Sequence, residues 1–223
     1  MTHCLVTGAN RGIGLAVCRI LAGRGDQVIG VCRRPSDELE ALGVRVESGI
    51  DVSEPADVRR LAEALEGTRI GWLLNNAGVL ERDELGRIDD AALEGIYRQF
   101  RVNSVGPLLV TQALVDNLDR GARVGIVTSR MGSIEDNTSG GYYGYRMSKA
   151  AVNAVGKSLA VDLEPRGIAV ALLHPGFVRT DMTGHQGQVE PGEAAAGLVA
   201  RMDELDVGTS GSFWHANGER LPW

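Results

Sequence analysis

Tyr145 and Lys149 stand four residues apart in the run Gly-Tyr-Arg-Met-Ser-Lys, in a chain whose only lysines are Lys149 and Lys157. Residues at that spacing share one face of a helix, so an ammonium can lie beside a phenol and favour its ionised form. Arginine supplies every other strong base here, but its group is broad and planar, whereas lysine is the compact charge that proton-relay sites use. The pair points to acid–base chemistry at a phenol. Tyr142 and Tyr143 lie close by, yet only Tyr145 has a lysine four residues on; the other two are candidates for shaping a pocket.

The elements that must position this pair begin at the N-terminus. Cys4-Leu5-Val6 leads into Thr7-Gly8-Ala9-Asn10-Arg11-Gly12-Ile13-Gly14 and on into the apolar run from Leu15 to Leu21, which reads as strand, glycine turn and helix. Glycines permit a tight turn and the close approach of a pyrophosphate, and the first amides of a helix favour a phosphate there. The three residues between Gly8 and Gly12 differ from the G-x-G-x-x-G dinucleotide fingerprint. Further along, short β-branched runs alternate with helical patterns, the signature of a parallel sheet. Strands are expected at Leu5–Thr7, Gln27–Cys32, Arg45–Glu47, Gly71–Leu74, Arg123–Thr128, Ala169–Leu173 and Ser212–Trp214. Helices are expected around Gly12–Ala22, Glu54–Ala64, Ala91–Leu118, Tyr145–Leu163 and Glu193–Met202. The expected fold is α/β: one Rossmann-type, doubly wound domain over residues 1–223, with a mainly parallel sheet of about seven strands flanked by helices. Ligands belong beyond the carboxyl ends of the strands.

With these motifs in order, the chain resembles the short-chain dehydrogenase/reductase family. The family's Thr-Gly-x-x-x-Gly-Ile-Gly turn is matched by Thr7 to Gly14, and the likeness continues through Asn75-Asn76-Ala77-Gly78, Asn103, Ser129, Tyr145-x-x-x-Lys149 and Pro175-Gly176-x-Val178-x-Thr180, covering nearly the whole chain. Segments 132–137 and 214–223 resemble carbonyl-reductase-like and C-factor-like members. The resemblance implies four catalytic residues. Tyr145 would be the general acid/base, and Lys149 would lower the phenol pKa and hold the nicotinamide ribose, because an unperturbed tyrosine titrates near ~10. Ser129 would orient the substrate oxygen; Ser133 competes for that role, since the loop to Tyr145 is longer than usual. Asn103 would hold a water linking Lys149 to solvent; its other reading is a polar helix residue of poor propensity.

The same resemblance places a cofactor against Gly8, Asn10, Arg11, Gly12, Ile13 and Gly14 in the first turn and Asp51 and Val52 after the third strand. Asn76, Ala77 and Gly78 follow the fourth strand, Tyr145 and Lys149 stand on the helix, and Pro175, Gly176, Val178 and Thr180 follow the sixth. Asp51 can equally be an acid near a helix start, Asn75 reads as a tie between strands, and Thr180 reads as a turn residue. NAD and NADP differ by a phosphate on the adenosine ribose. The second strand ends Val31-Cys32-Arg33-Arg34, with cysteine where NAD-preferring relatives carry aspartate. Arg33 can clamp a phosphate through its planar fork, with Arg11 beside it. Two bases and no acid favour NADP(H); Arg33 and Arg34 as solvated loop charges is the other reading.

The expected function is NADPH-dependent reduction of an aldehyde or ketone. A non-catalytic NADP(H)-binding sensor and an NAD-dependent alcohol dehydrogenase are the alternatives. Between Met182 and Glu193 the chain is short, polar and expected to be flexible, which suggests an open pocket tolerant of varied carbonyl substrates. The 223 residues are 43% hydrophobic with a formal net charge of -6, which argues against a nucleic-acid or membrane surface. The first strand leaves no room for a signal peptide and no apolar run is long enough to span a bilayer, so cytoplasmic residence is expected. Cys4, Cys18 and Cys32 are an odd set without metal-site spacing, expected as buried thiols, and no protein-bound metal is expected. Small residues at Ala150, Ala151, Ala154 and Gly156 fit a homo-oligomer, dimer or tetramer, or a helix packed closely on the sheet.

Overall fold

The computed structural model describes residues 3–223. Seven strands, β1 (His3–Thr7), β2 (Gln27–Val31), β3 (Arg45–Glu47), β4 (Ile70–Asn75), β5 (Leu118–Val127), β6 (Ala169–His174) and β7 (Ser212–His215), form one sheet in the order β3-β2-β1-β4-β5-β6-β7. Every pairing is parallel. The chain runs outward from β1 to β3 and then returns to place β4 on the other flank of β1. That reversal opens a crevice beyond the carboxyl ends of β1 and β4.

Alternation along each strand divides the core between the two faces. Leu5, Leu73 and Val170 join one apolar layer, packed under helices α3 (Pro55–Ala64), α5 (Gly106–Ala113) and α6 (Tyr143–Leu163). Val6, Leu74 and Ala171 join the other, packed under α1 (Gly12–Gly23) and α7 (Pro191–Glu204). The remaining helices are the single turn α2 (Asp37–Glu40) and α4 (Asp90–Phe100). Cys18 and Cys32 are buried and Cys4 half-buried, all three unpaired. Burial pushes the Cys4 and Cys18 thiols up to about 12, so both stay protonated and serve as small apolar side chains.

Two elements differ from the sequence expectation. The helix expected over Ala91–Leu118 divides into α4, a π-helical turn at Arg101–Val105 and α5, and it ends before β5 begins at Leu118. Pro107, at the start of α5, carries no N–H, so the Asn103 carbonyl lacks the donor an unbroken helix would give it. Leu118 is taken from the helix because it pairs with Ile70 at the edge of β4, while Asn117 is held by the Leu65 and Thr68 carbonyls at 2.7 and 2.9 Å. The short α2 was not expected. Ser36 caps it, accepting from Leu39 N at 3.3 Å, and donates at 2.7 Å to the Asn10 carbonyl, which holds the end of β2 against the glycine turn. Gly156 faces the sheet, where an added Cβ would stand 2.8 Å from Leu172; its small size serves packing on β6 rather than a second chain.

Candidate active site

Helix α6 carries Tyr145 and Lys149 on its buried face, and glycine brings it close to the sheet. A Cβ on Gly132 would stand 2.7 Å from the Lys149 carbonyl carbon, so only glycine lets the turn at Arg130–Gly132 press against that backbone. Asn153 extends the contact, donating to the Gly132 carbonyl at 3.3 Å and accepting from Thr128 Oγ1 at 2.8 Å. This contact sets Ser129, at the head of the turn, opposite Tyr145, and its hydroxyl favours the ionised phenol. Ser133 is committed elsewhere: its Oγ donates to the Trp223 main-chain oxygen at 3.0 Å and accepts from Asp136 N at 3.1 Å. Of the two candidate serines, the structure brings only Ser129 to the phenol.

Lys149 is 4% exposed. Its Nζ donates to the Val127 carbonyl at the end of β5 at 2.9 Å and lies 5.7 Å from the centroid of the Tyr145 ring. Burial pushes the ammonium down to about 8. The phenol moves oppositely to the sequence expectation: burial pushes it up to about 12, against the pull of Ser129. Desolvation penalises the phenolate more than the Ser129 hydroxyl favours it.

Asn103 is brought to the same place. Its Oδ1 accepts from Val79 N at 2.8 Å, and its Nδ2 donates to the Val79 carbonyl at 2.8 Å and to Ser148 Oγ at 3.0 Å. Both amide protons are used, so the side chain ties α6 to the segment after β4. Gly78 lies between the two, since a Cβ there would be 3.2 Å from Asn103 Oδ1 and 3.8 Å from Lys149 Nζ.

The glycine turn forms the other end of the crevice. Gly8 and Gly12 have φ of +66° and +55°, conformations that other residues adopt only under strain. A Cβ on Gly14 would collide with the Gly8 carbonyl. Asn76 Nδ2 donates to the Thr7 and Gly8 carbonyls at 2.9 and 3.3 Å, and the buried Thr7 Oγ1 accepts from Asn76 N and Ala77 N, both at 3.0 Å. Asn76 is thus the tie between β1 and β4 that the sequence suggested for Asn75. Asn75 bonds Thr111 on α5 instead, at 3.1 Å. No side chain caps the first amides of α1 and its first turn holds no acid. A phosphate fits this open, glycine-lined cradle.

The bases expected to read the ribose phosphate both have acids nearby. The exposed Arg33 lies 3.8 Å from the half-buried Asp51, and Arg11 lies 3.0 Å from Asp181, both exposed. Asp51 also accepts from Ser53 N and Ser53 Oγ at 3.0 and 2.6 Å, forming the turn before α3. Val52 is buried against Gly106, 3.0 Å from where a Cβ would stand. Thr180 packs over the glycine turn, its methyl 3.4 Å from where a Gly12 Cβ would be, so the turn residue read from sequence stands at the crevice.

The segment after Pro175 is tied rather than flexible. Val178 and Val189 bridge, Arg179 N donates to the Val189 carbonyl at 2.8 Å, and Gln188 N donates to the Phe177 carbonyl at 2.7 Å. Gly187 makes this possible, since a Cβ there would collide with the Val178 backbone. Polarity suggested mobility, but these backbone bonds across the loop are invisible to composition.

Sequence reasoning missed Asp83 and His174. The buried Asp83 carboxylate accepts from Tyr143 N and Gly144 N, the latter at 2.9 Å, and so caps α6 from sixty residues away. Tyr142, just before, adopts φ 52°, and the Gly144 spacing admits Asp83 Oδ2 at 3.1 Å from a hypothetical Cβ. The aspartate five residues after Asn76-Ala77-Gly78, with glycine at the start of α6, was the available signal. His174, ending β6, packs edge-on to His215 at 4.8 Å; burial, then His215, pushes its imidazole down to about 3.

A family model described as short chain dehydrogenase matches residues 2–191. The chain belongs to the short-chain dehydrogenase family. Among its relatives, a 1-hydroxy-2-glutathionyl-2-methyl-3-butene dehydrogenase of Rhodococcus sp. (strain AD45) is 44% identical over 229 residues, covering 100% of both chains. The C-signal of Myxococcus xanthus is 44% identical over 154 residues, 68% of this chain and 91% of that one. A carbonyl reductase from Pseudomonas aeruginosa PAO1 in complex with NADP matches with a TM-score of 0.86 at 34% identity, covering 100% of both chains. This dehydrogenase fold therefore carries the resemblance read from the motifs. Among the described residues no helix is long and apolar enough to cross a membrane.

Because the chain has only two lysines, the Lys149 side chain can be followed by carbon-13 NMR. The lysine resonance missing from Lys149→Met should titrate near pH 8, as a cation below and a neutral amine above; titration at the ordinary 10.5 would contradict its burial.

Proposed function

We propose that this protein is an NADPH-dependent reductase of aldehydes or ketones, with Asn103, Ser129, Tyr145 and Lys149 as its working residues. The observation that carries the reading is the buried Tyr145 phenol, with Ser129 opposite and Lys149 beneath, at the mouth of the crevice that the glycine turn begins. Bound at that turn, NADPH would supply a hydride for the carbonyl carbon. Ser129 orients the carbonyl oxygen, and Tyr145 gives that oxygen its proton. A phenol pushed up to about 12 stays protonated at neutral pH, which suits a general acid facing an alkoxide, a far stronger base. Lys149 stabilises the phenolate left behind and returns a proton to it. The Asn103 side chain has no donor to spare, so the water that relays this proton is assigned to its main-chain carbonyl, which Pro107 deprives of its helical partner.

The residues present fit the cofactor. The glycine cradle takes the pyrophosphate, with Asn10 and Ile13 flanking it; Asp51, Val52 and the Asn76-Ala77-Gly78 segment line the adenosine side. Pro175, Gly176, Val178 and Thr180 close the nicotinamide end. Arg33, with Arg11, takes the 2′-phosphate. Both guanidiniums are exposed to solvent, where ion pairs contribute about 0–1 kcal/mol, and a dianionic phosphate offering bidentate bonds can displace the acids. The NADP complex of the similar reductase supports this choice.

Alcohol oxidation is a second reading, favoured by the name of the Rhodococcus relative, a dehydrogenase of a 1-hydroxy compound. The same residues run that reaction in reverse, but it needs the phenolate that burial disfavours. A sensor has no use for a desolvated acid–base pair. Exposed Leu93, Tyr97 and Phe100 on α4 and Met147 and Val161 on α6 support self-association through these helices.

Tyr145→Phe should lower turnover of NADPH with an aldehyde by more than ~100-fold, the scale of general acid catalysis, while NADPH binding stays within a few-fold; an active variant refutes the assignment. Arg33→Ala should raise the Michaelis constant for NADPH by about tenfold or more, the value of a charge-assisted bond, and leave that for NADH unchanged. Wild-type preference for NADH would sink the 2′-phosphate site.

A further inference from the structure

Near Tyr145 the chain forms an open cleft of about 430 Å³, lined in part by Arg82, Met131, Ser139, Gly141, Tyr142 and Arg146. Met131 lies two residues beyond Ser129 in sequence, Tyr142 stands just before α6 and Arg146 follows Tyr145 on it. The cleft is therefore bordered by the segments that carry Ser129 and Tyr145. Two acids, Asp83 and Glu84, share the lining with these two arginines, and each acid already has partners. Asp83 has both oxygens occupied by the first amides of α6, and Glu84 is paired with Arg87 at 3.4 Å. Arg146 has no carboxylate partner among the described residues; its guanidinium holds the rim through the Gly141 and Met131 carbonyls at 3.1 and 3.4 Å and through Ser139 Oγ at 2.9 Å. Arg82 makes no ion pair or hydrogen bond among the described residues. It rests over the Tyr142 ring, 5.4 Å from its centroid, which orients the planar fork while leaving its donors open.

We infer that this cleft binds a carboxylate at the far end of the carbonyl substrate, with Arg82 making the direct bonds and Arg146 supplying fixed positive charge and the rim. This rests on the proposed reductase reading and adds a substrate class to it. A guanidinium whose donors face a cleft matches the geometry of a carboxylate and gives the stronger, charge-assisted kind of hydrogen bond. The pre-set rim means that little ordering accompanies binding. Small neutral aldehydes remain substrates and simply lack this contact.

The test compares 4-carboxybenzaldehyde with its methyl ester, which is nearly the same shape without the charge, as substrates with NADPH. The wild type should favour the free acid in kcat/KM. Arg82→Gln, at an exposed position, should lower kcat/KM for the acid by roughly 10- to 100-fold, mainly through KM, and leave the ester within about twofold; Arg82→Lys should restore part of the loss. Equal use of acid and ester by the wild type, or an equal fall for both in Arg82→Gln, overturns the inference. Should neither aldehyde be reduced, the reductase reading fails and calorimetry decides the cleft separately. Binding of 4-carboxybenzyl alcohol that Arg82→Gln weakens tenfold supports it, and binding unchanged in that variant, or absent from the wild type, overturns it.

Discussion

An ammonium held out of water is the constraint around which the site is arranged. Taking a cation into the interior is costly unless it finds hydrogen-bond partners, and Lys149 finds the Val127 carbonyl at 2.9 Å and little else. That single bond is reached only because α6 lies close to the ends of β4 and β5. The closeness depends on the missing Cβ atom at Gly132 and on the Asn103 amide that ties Val79 to Ser148. The same contacts place Ser129 at the phenol. The low lysine pKa and the high phenol pKa share one physical cause, desolvation. The site so built disfavours both charged forms, the phenolate and the ammonium.

In the proposed reading the crevice has a phosphate end and a chemical end, and different forces shape them. At the glycine turn the demand is steric: backbone must meet backbone at Gly8 and Gly14, and Thr7 and Asn76 lock the result with hydrogen bonds. At Arg11 and Arg33, proposed to meet the ribose phosphate, the demand is electrostatic, and both guanidiniums pair with acids while exposed to solvent. At Tyr145 the demand is burial. A change at one end is therefore expected to alter cofactor binding, and a change at the other the proton step, with little exchange between them.

Much of this was legible because it is written in local patterns. Strand, turn and helix follow from hydrophobic period and glycine spacing, and Tyr145 and Lys149 announce themselves by a four-residue interval. What could not be read depends on contacts distant in sequence. Asp83 caps α6 across sixty residues, Ser133 is diverted by Trp223, and the loop before α7 is fixed by backbone bonds between Phe177, Arg179 and residues near Val189. The division of the long helix at Arg101–Val105 was readable in part, since Pro107 removes a donor. Leu118 looked helical by period and became a strand residue through its pairing with Ile70. The phenol pKa was misjudged for a related reason: spacing reveals the neighbouring charge, whereas desolvation is a property of the folded interior.

Isotope transfer tests the central claim most directly. The protein would be incubated with NADPH carrying deuterium at the transferable position of the nicotinamide and an aldehyde substrate, and the alcohol formed examined by mass spectrometry. Hydride transfer to a carbonyl predicts one deuterium on the carbinol carbon for each NADPH consumed. Alcohol without that deuterium, or no alcohol from any aldehyde while NADPH binds tightly, would contradict it.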